Sequence, residues 1–184
     1  ERRYLTALAK EACESGYQFN PGDQANLSIG QGDVTTTLLQ MAQVFGTIAQ
    51  DGREPSPHLG RASISADGTR SGLERPDEGR VDLPGTSGPL MRRALRDVVD
   101  DPEGTAHGAF SGFPTDEWPV AGKTGTLGTL RHEIGVVTFP GEVPIAVAVL
   151  TRSARPEQHL PIVDAAIGQV AASVVHPLRT TLGR

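Results

Sequence analysis

The sequence predicts a mixed α/β (α+β) chain in which helices flank an antiparallel sheet. Apolar residues recur at helical spacing near both ends of the 184 residues and twice between them. Strand-like runs occupy 120–126, 133–139 and 145–151, and the last two are separated by Pro140-Gly141-Glu142-Val143, a composition that joins them as a hairpin. A chain of this length is one domain or part of one, and a complete domain of that size buries about 70% of its unfolded surface, so size does not forbid a core.

Taken in order, Leu5, Leu8, Ala9 and Ala12 predict a first helix stopped at Ser15-Gly16. Cys13 lies on it, and a lone cysteine on a helix reads as a small buried hydrophobe. The polar Gly-Pro-Asp-Asn stretch over 20–26 reads as loop. Thr37 and Gln40 form a capping-box pattern, in which the hydroxyl accepts from an early helix N–H and the amide side chain reaches back. The helix they open carries Leu38, Met41, Phe45 and Ile48 on one face and ends at Asp51-Gly52. Residues 53–86, rich in Gly, Pro, Ser, Asp and Arg, read as a surface excursion with one or two short strands. Leu90, Met91, Ala94, Leu95, Val98 and Val99 predict the core face of a further helix ended by Asp101-Pro102. The closing helix is expected over 160–175, terminated by His176-Pro177.

Charge and composition remove several functions. A net charge of -5 argues against a surface that tracks phosphates, so nucleic acid is not an expected partner. His58, His107, His132, His159 and His176 are scattered, without carboxylate or cysteine partners at ligand spacing, so no metal or cofactor is expected. One cysteine forms no intrachain disulfide and leaves the compartment open. No stretch reads as a signal peptide, and no apolar run approaches the ~18–20 residues that span a bilayer.

The most informative stretch is Lys123-Thr124-Gly125-Thr126, which follows Trp118-Pro119-Val120-Ala121-Gly122 and precedes strand-like runs. Penicillin-recognising serine enzymes keep a K-T-G motif opposite a nucleophilic S-x-x-K and an S-x-N. Neither of those two is present: the only lysines are Lys10 and Lys123, and no serine precedes an asparagine by two positions. Ser28-Ile29-Gly30-Gln31-Gly32-Asp33-Val34, Leu39-Gln40-Met41-Ala42 and Pro102-Glu103-Gly104-Thr105-Ala106 also resemble the segments that precede K-T-G in high-molecular-mass penicillin-binding proteins. Arg131-His132-Glu133-Ile134-Gly135-Val136-Val137 and the run 145–152 look more like a class A β-lactamase. The resemblance covers residues 20–176 and identifies the chain with the penicillin-binding transpeptidase and serine β-lactamase superfamily.

What the resemblance implies is residue-specific. Lys123, Thr124, Gly125 and Thr126 would lie on a strand bordering the cleft, with Lys123 and Gly125 facing one way and Thr124 and Thr126 the other. Lys123 would supply positive potential to a substrate carboxylate and Gly125 would leave room for backbone approach. The Thr126 N–H would form half of an oxyanion hole while its hydroxyl binds the carboxylate. The competing reading makes Lys123 an ordinary exposed lysine and Gly122 and Gly125 a bulge or kink in an edge strand. Ser28 to Gly32 is expected to be a tight turn ordered by Asp33, Trp118 a packing anchor, Arg131 and Glu133 an ion pair, and His107 a surface or packing residue. Asp100-Asp101 is helix-end punctuation.

On this reading residues 1–184 are the C-terminal part of a single penicillin-binding transpeptidase-like domain, whose complete sheet has five strands. The expected function is D,D-transpeptidation or D,D-carboxypeptidation of peptidoglycan stem peptides through a serine acyl-enzyme trapped by β-lactams. The required partner is an N-terminal segment or chain carrying S-x-x-K and S-x-N. The expected setting is the extracytoplasmic envelope, with an anchor in a region outside these residues. A β-lactamase-like hydrolase is the alternative within the superfamily, and a non-catalytic peptidoglycan- or partner-binding module is the alternative outside enzymes.

Overall fold

The computed structural model describes residues 2–16, 18–32, 34–60, 62–74, 79–110, 113–154 and 160–182. They fall into two compact units, Glu1–Thr36 and Thr37–Arg184. Asp33 and His159 lie outside the described residues.

The first unit holds α1 (Arg2–Ser15) and α2 (Pro21–Ser28). No residue of α1 is buried, and Cys13 is exposed, which corrects its expected place in a core. α2 replaces the loop expected over 20–26. Asn20 Oδ1 accepts from the N–H groups of Gly22 (2.8 Å) and Asp23 (3.2 Å), and Asp23 Oδ2 accepts from the Asn20 N–H at 2.9 Å. Pro21 stands in the first turn, where its missing N–H costs no hydrogen bond. The residues that looked like loop punctuation are therefore a reciprocal helix cap. After α2 the chain turns at Gly30 (φ 76°) and Gly32 (φ 103°), both in the left-handed region that a side chain disfavours.

The second unit begins at Thr37, the N-cap of α3 (Leu38–Ala49). Thr37 Oγ1 accepts from the Gln40 N–H at 3.2 Å, and Gln40 Oε1 accepts from the Thr37 N–H at 2.8 Å. α3 buries Phe45, Gly46 and Thr47, while Leu38 at its start is 47% exposed, so the apolar stripe meets the core only in the second half. The excursion that follows contains β1 (Ala62–Ile64) and β2 (Arg70–Gly72), paired antiparallel. α4 (Ser87–Asp100) is tied to the end of α3 by Arg92, which donates to the Ile48 carbonyl at 3.2 Å and pairs with Asp51. Val99 is 2% exposed, whereas Leu90 and Met91 are exposed despite their helical phase. Only the C-terminal half of α4 meets the sheet, through Val98 and Val99 against Val120. Asp100 pairs with Arg96, and Asp101 caps the end by accepting from the Glu103 N–H at 2.8 Å.

The main sheet is antiparallel in the order β3-β4-β5, comprising β3 (Val120–Leu127), β4 (Leu130–Val137) and β5 (Ile145–Arg152). β3 and β4 pair one to one, with Gly122 opposite Gly135, Thr124 opposite Glu133 and Thr126 opposite Arg131. No bulge interrupts the pairing, so the kink allowed for at Gly122 and Gly125 is absent. Gly122 is instead a close-approach residue: a Cβ there would stand 2.9 Å from the Ile134 carbonyl oxygen.

Helices cover both faces of the sheet, the layered arrangement that buries each sheet face against a helix stripe. On one face α3 approaches so closely that a Cβ at Gly46 would lie 3.8 Å from Ala146 Cβ. On the other lie a 3₁₀ turn (His107–Phe110) and α5 (Leu160–Leu182). There Val99, Ala106 and Val120 form one core cluster and Phe139, Ile145 and Val175 a second. α5 passes Pro177 without ending, although a stop was expected at His176-Pro177. Arg179, two residues further on, is held over the rings of Trp118 and Phe139, and its Nε donates to Glu142 at 2.9 Å. That anchorage offsets the hydrogen bond that the proline ring removes.

Replacing Thr37 by Ala is expected to destabilise the second unit by ~1 kcal/mol, the usual scale of a lost N-cap. Adding Gln40→Ala should cost less than its separate effect, because both residues serve one reciprocal pair. Denaturant melts of the two single variants and the double variant check this. Full additivity would mean that the box does not act as a unit.

Candidate active site

β3 is an outer strand of the main sheet, paired only with β4 among the described residues. Its free side therefore presents alternate backbone N–H and C=O groups unclaimed by a neighbouring strand. Lys123, Thr124, Gly125 and Thr126 sit in the middle and end of this strand in unbroken register, which gives the alternation expected from the sequence. Lys123 and Thr126 are exposed, Gly125 half-buried and Thr124 buried. The Lys123 ammonium folds back along the strand and donates to the Thr124 carbonyl at 2.6 Å. Gly125 keeps the strand clear, although a Cβ there would meet nothing nearer than His132 Cβ at 3.7 Å, an ordinary contact.

Two contacts support the motif from behind. The first is a hydroxyl pair, Thr105 Oγ1 and Thr124 Oγ1 at 3.1 Å, which ties the turn after α4 to the strand. Ala106 anchors that turn in the core, and its N–H donates to the Val98 carbonyl at 3.0 Å. His107 is exposed and its Nδ1 lies 3.0 Å from the Val99 carbonyl, a packing arrangement that leaves it out of the motif.

The second support is charged. Arg131, only 9% exposed, directs Nη1 to the Thr126 hydroxyl, Nε to Asp164 Oδ1 of α5 at 2.8 Å, and Nη2 toward Glu133 Oε1 at 3.4 Å. The Thr151 hydroxyl donates to the Arg131 carbonyl at 2.7 Å, fixing the backbone under the guanidinium. The ion pair expected between Arg131 and Glu133 is present, yet it is the looser of the two: Glu133 Oε1 has no hydrogen-bond partner among the described residues. Burial pushes the Glu133 carboxyl up to about 7, Asp164 adds to the rise, and Arg131 and Lys123 oppose it.

A cavity of about 200 Å³ lies on the α5 side of the sheet, walled by apolar side chains such as Phe110, Phe113, Val147 and Ile167. Glu133 and Asp164 reach it, but Lys123 is not among its walls, so it lies behind the motif strand and not in front of it. Trp118 closes its far end against Phe113, Phe139 and His176, as a packing anchor should. Among the described residues no group of three or more His, Cys, Asp or Glu side chains converges as metal ligands.

Sequence reasoning missed Thr105 and Asp164 as supports of the motif. Thr105 left no signal beyond its place in the Gly-Thr-Ala turn. Asp164 did: it is the only acidic residue in α5, and a lone carboxylate on an otherwise apolar helix needs a cationic partner.

The family profile described as the penicillin binding protein transpeptidase domain matches residues 8–155. Penicillin-binding protein PbpB of Mycolicibacterium smegmatis is 36% identical over 135 residues, covering 69% of this chain and 20% of that protein. The peptidoglycan D,D-transpeptidase MrdA of Acinetobacter baumannii is 33% identical over 155 residues, covering 73% of this chain and 22% of the relative. Among solved structures, penicillin-binding protein 3 of Mycobacterium tuberculosis complexed with aztreonam superposes with a TM-score of 0.62 at 28% identity, covering 86% of this chain and 39% of that one. The chain thus spans about a fifth of the curated relatives it matches. Its helix-flanked antiparallel sheet and its sequence agree in one assignment: the chain belongs to the penicillin-binding protein transpeptidase domain family.

Proposed function

We propose that residues 1–184 are the C-terminal part of one transpeptidase domain and form the K-T-G side of the active site of a peptidoglycan D,D-transpeptidase or D,D-carboxypeptidase. The observation that carries this reading is Lys123-Thr124-Gly125-Thr126 on an outer strand, with its cation exposed and its backbone open on one side. The relative named a peptidoglycan D,D-transpeptidase supports the reaction class. The aztreonam and ampicillin complexes of the similar M. tuberculosis protein support β-lactams as ligands.

The chemistry divides between this chain and the sequence that completes it. A serine from an S-x-x-K segment outside these residues attacks the D-alanyl carbonyl, and the carbonyl oxygen becomes an oxyanion. The Thr126 N–H donates to that oxyanion, and the N–H of the nucleophilic serine supplies the second donor. Lys123 lends positive potential to the substrate carboxylate, which the Thr126 hydroxyl also engages. Collapse of the tetrahedral intermediate expels D-alanine and leaves the acyl-enzyme, which an amine or water then resolves. A β-lactam follows the same first step, but its leaving group stays attached.

The open outer edge of β5 supports the need for a completing segment, as does the absence, among the described residues, of any large side chain that is fully buried. The envelope is the proposed setting, since the substrate is there. No helix among the described residues is long and apolar enough to cross a membrane, so an anchor would belong to the rest of the protein.

In the complete protein, Lys123→Ala should slow acylation by a β-lactam at least tenfold, about 1.4 kcal/mol of transition-state stabilisation. Melting temperature should change little, because the ammonium is exposed. Stopped-flow acylation at the parental rate would remove Lys123 from the site.

Residues 1–184 produced alone should not be labelled by a fluorescent penicillin, since no serine is paired with a lysine. Supplying the upstream segment, fused or as a separate chain, should restore labelling. Covalent labelling of the isolated chain on one of its own serines would overturn the reading that the nucleophile lies outside it. An unlabelled complex with the upstream segment would favour the non-catalytic module.

A further inference from the structure

Behind K-T-G-T lies a charged cluster that the acyl-transfer scheme does not use. Arg131 reaches three oxygen-bearing groups from three elements: Thr126 on β3, Glu133 on its own strand, and Asp164 on α5. The two carboxylates are held differently. Asp164 accepts a hydrogen bond from Nε at 2.8 Å, whereas Glu133 Oε1 stands 3.4 Å from Nη2 and has no hydrogen bond among the described residues. Both acids are largely shielded from water, with side chains 18% and 12% exposed.

We propose that Glu133 is a positioning residue of the active site, one that competes with the Thr126 hydroxyl for the Arg131 guanidinium and so sets how Thr126 meets a substrate carboxylate. This rests on the proposed role of the K-T-G strand. A hydroxyl that accepts from a guanidinium keeps its own proton free to donate outward, and that donation is charge-assisted toward an anion. Arginine has a rigid planar fork, so its donors move together. Pinned at Nε by Asp164, the fork has one remaining choice: to lie toward Thr126 or to swing Nη2 the further distance that a full hydrogen bond to Glu133 requires.

Ionisation of Glu133 decides between them. A buried carboxylate left without hydrogen bonds is costly, so the charged form draws the guanidinium to itself. The neutral form leaves Nη1 on Thr126. The groups that face Glu133 are Arg131 from β4 and Asp164 and His176 from α5 across the shared cavity, while Lys123, on the opposite face of β3, acts on it only through its charge. The 3₁₀ turn and the end of α4 bring only apolar side chains to that cavity. Burial raises the Glu133 carboxyl to about 7, so the exchange falls near neutral pH. The sign follows from the raised value: the neutral, Thr126-oriented arrangement prevails below about 7 and is lost as pH rises through it.

The test uses the complete transpeptidase and a fluorescent penicillin bearing its free carboxylate, with acylation rates measured between pH 5.5 and 8.5 at roughly half-unit steps. The parent should show a limb falling about fivefold on the alkaline side, equal to ~1 kcal/mol at ~1.4 kcal/mol per tenfold. Glu133→Gln should abolish that limb, and Glu133→Asp should retain it. Thr126→Val should slow acylation and also make the rate indifferent to Glu133→Gln, because the hydroxyl through which Glu133 acts is gone. Asp164→Asn, which removes a like charge, should move the midpoint to lower pH and serves as the readout if Glu133→Gln does not fold. A profile unchanged in both Glu133→Gln and Asp164→Asn overturns the proposal. If Lys123→Ala nevertheless slows acylation, only the positioning role fails; if Lys123→Ala has no effect, the active-site reading fails as well.

Discussion

The unbulged antiparallel register of β3 and β4 is the constraint on which the rest of the second unit depends. Side chains alternate across a strand and directly opposed residues share a face, so one pairing, Gly122 with Gly135, determines every other along the two strands. It puts Thr124 and Thr126 on the α5 side together with Glu133 and Arg131, and Lys123 and Gly125 on the α3 side with Ile134 and His132. A slip of β3 by one residue would exchange its two sets, turning the Lys123 ammonium toward the α5 side and Thr126 away from Arg131. The glycine pair permits this register because a Cβ at either position would press on the facing strand's backbone, 2.9 Å from the Ile134 oxygen at Gly122 and 3.0 Å from the Ala121 oxygen at Gly135.

Consequences of that register reach both neighbours. On the α5 side, two positions without side chains leave room that the surrounding aromatic and branched residues only partly fill, hence the apolar cavity behind the strand. The same side carries an arginine and two carboxylates close to that cavity, where screening by water is weak and small differences in hydrogen bonding become differences in charge state. On the α3 side, the small residues Gly46 and Ala146 let the helix lie close to β5. The sheet thus has close helix packing at β5 on one face and, on the other, a polar network that joins β3, β4 and α5.

How much of this was legible in the sequence depended on how local its cause was. The Thr37 cap, the three strands and the helix stop at Asp101-Pro102 come from contacts within a few residues, and each stands close to where the residue pattern predicted. The K-T-G strand was legible for the same reason. The α2 segment was misread because Asn, Pro, Gly and Asp serve turns and helix N-termini alike, and only the mutual Asn20 and Asp23 bonds distinguish them. Leu38, Leu90 and Met91 have core-like phase but remain exposed among the described residues, and Cys13 sits on a helix that buries nothing, so periodicity overstated their burial. The passage of α5 through Pro177 depends on Arg179 meeting an aromatic cluster assembled from residues about forty to sixty positions earlier, which no local rule foresees. Asp164 and Arg131 are 33 residues apart, and their pairing follows only once α5 is laid on the sheet.

The aromatic cluster at Trp118 has a spectroscopic consequence. Trp118 is the only tryptophan in the chain, and its indole is bracketed by the Arg179 guanidinium 5.6 Å from the ring centroid and by the edge of His176, both carried by α5. Its remaining neighbours, Phe113 and Phe139, belong to the segments that lead into β3 and out of β4. The emission of this single indole therefore reports the docking of the C-terminal helix onto the motif-bearing sheet. Detachment of α5 would remove two polar neighbours from the indole and admit water in their place, an optical signal at the seam between helix and strand that requires no added label.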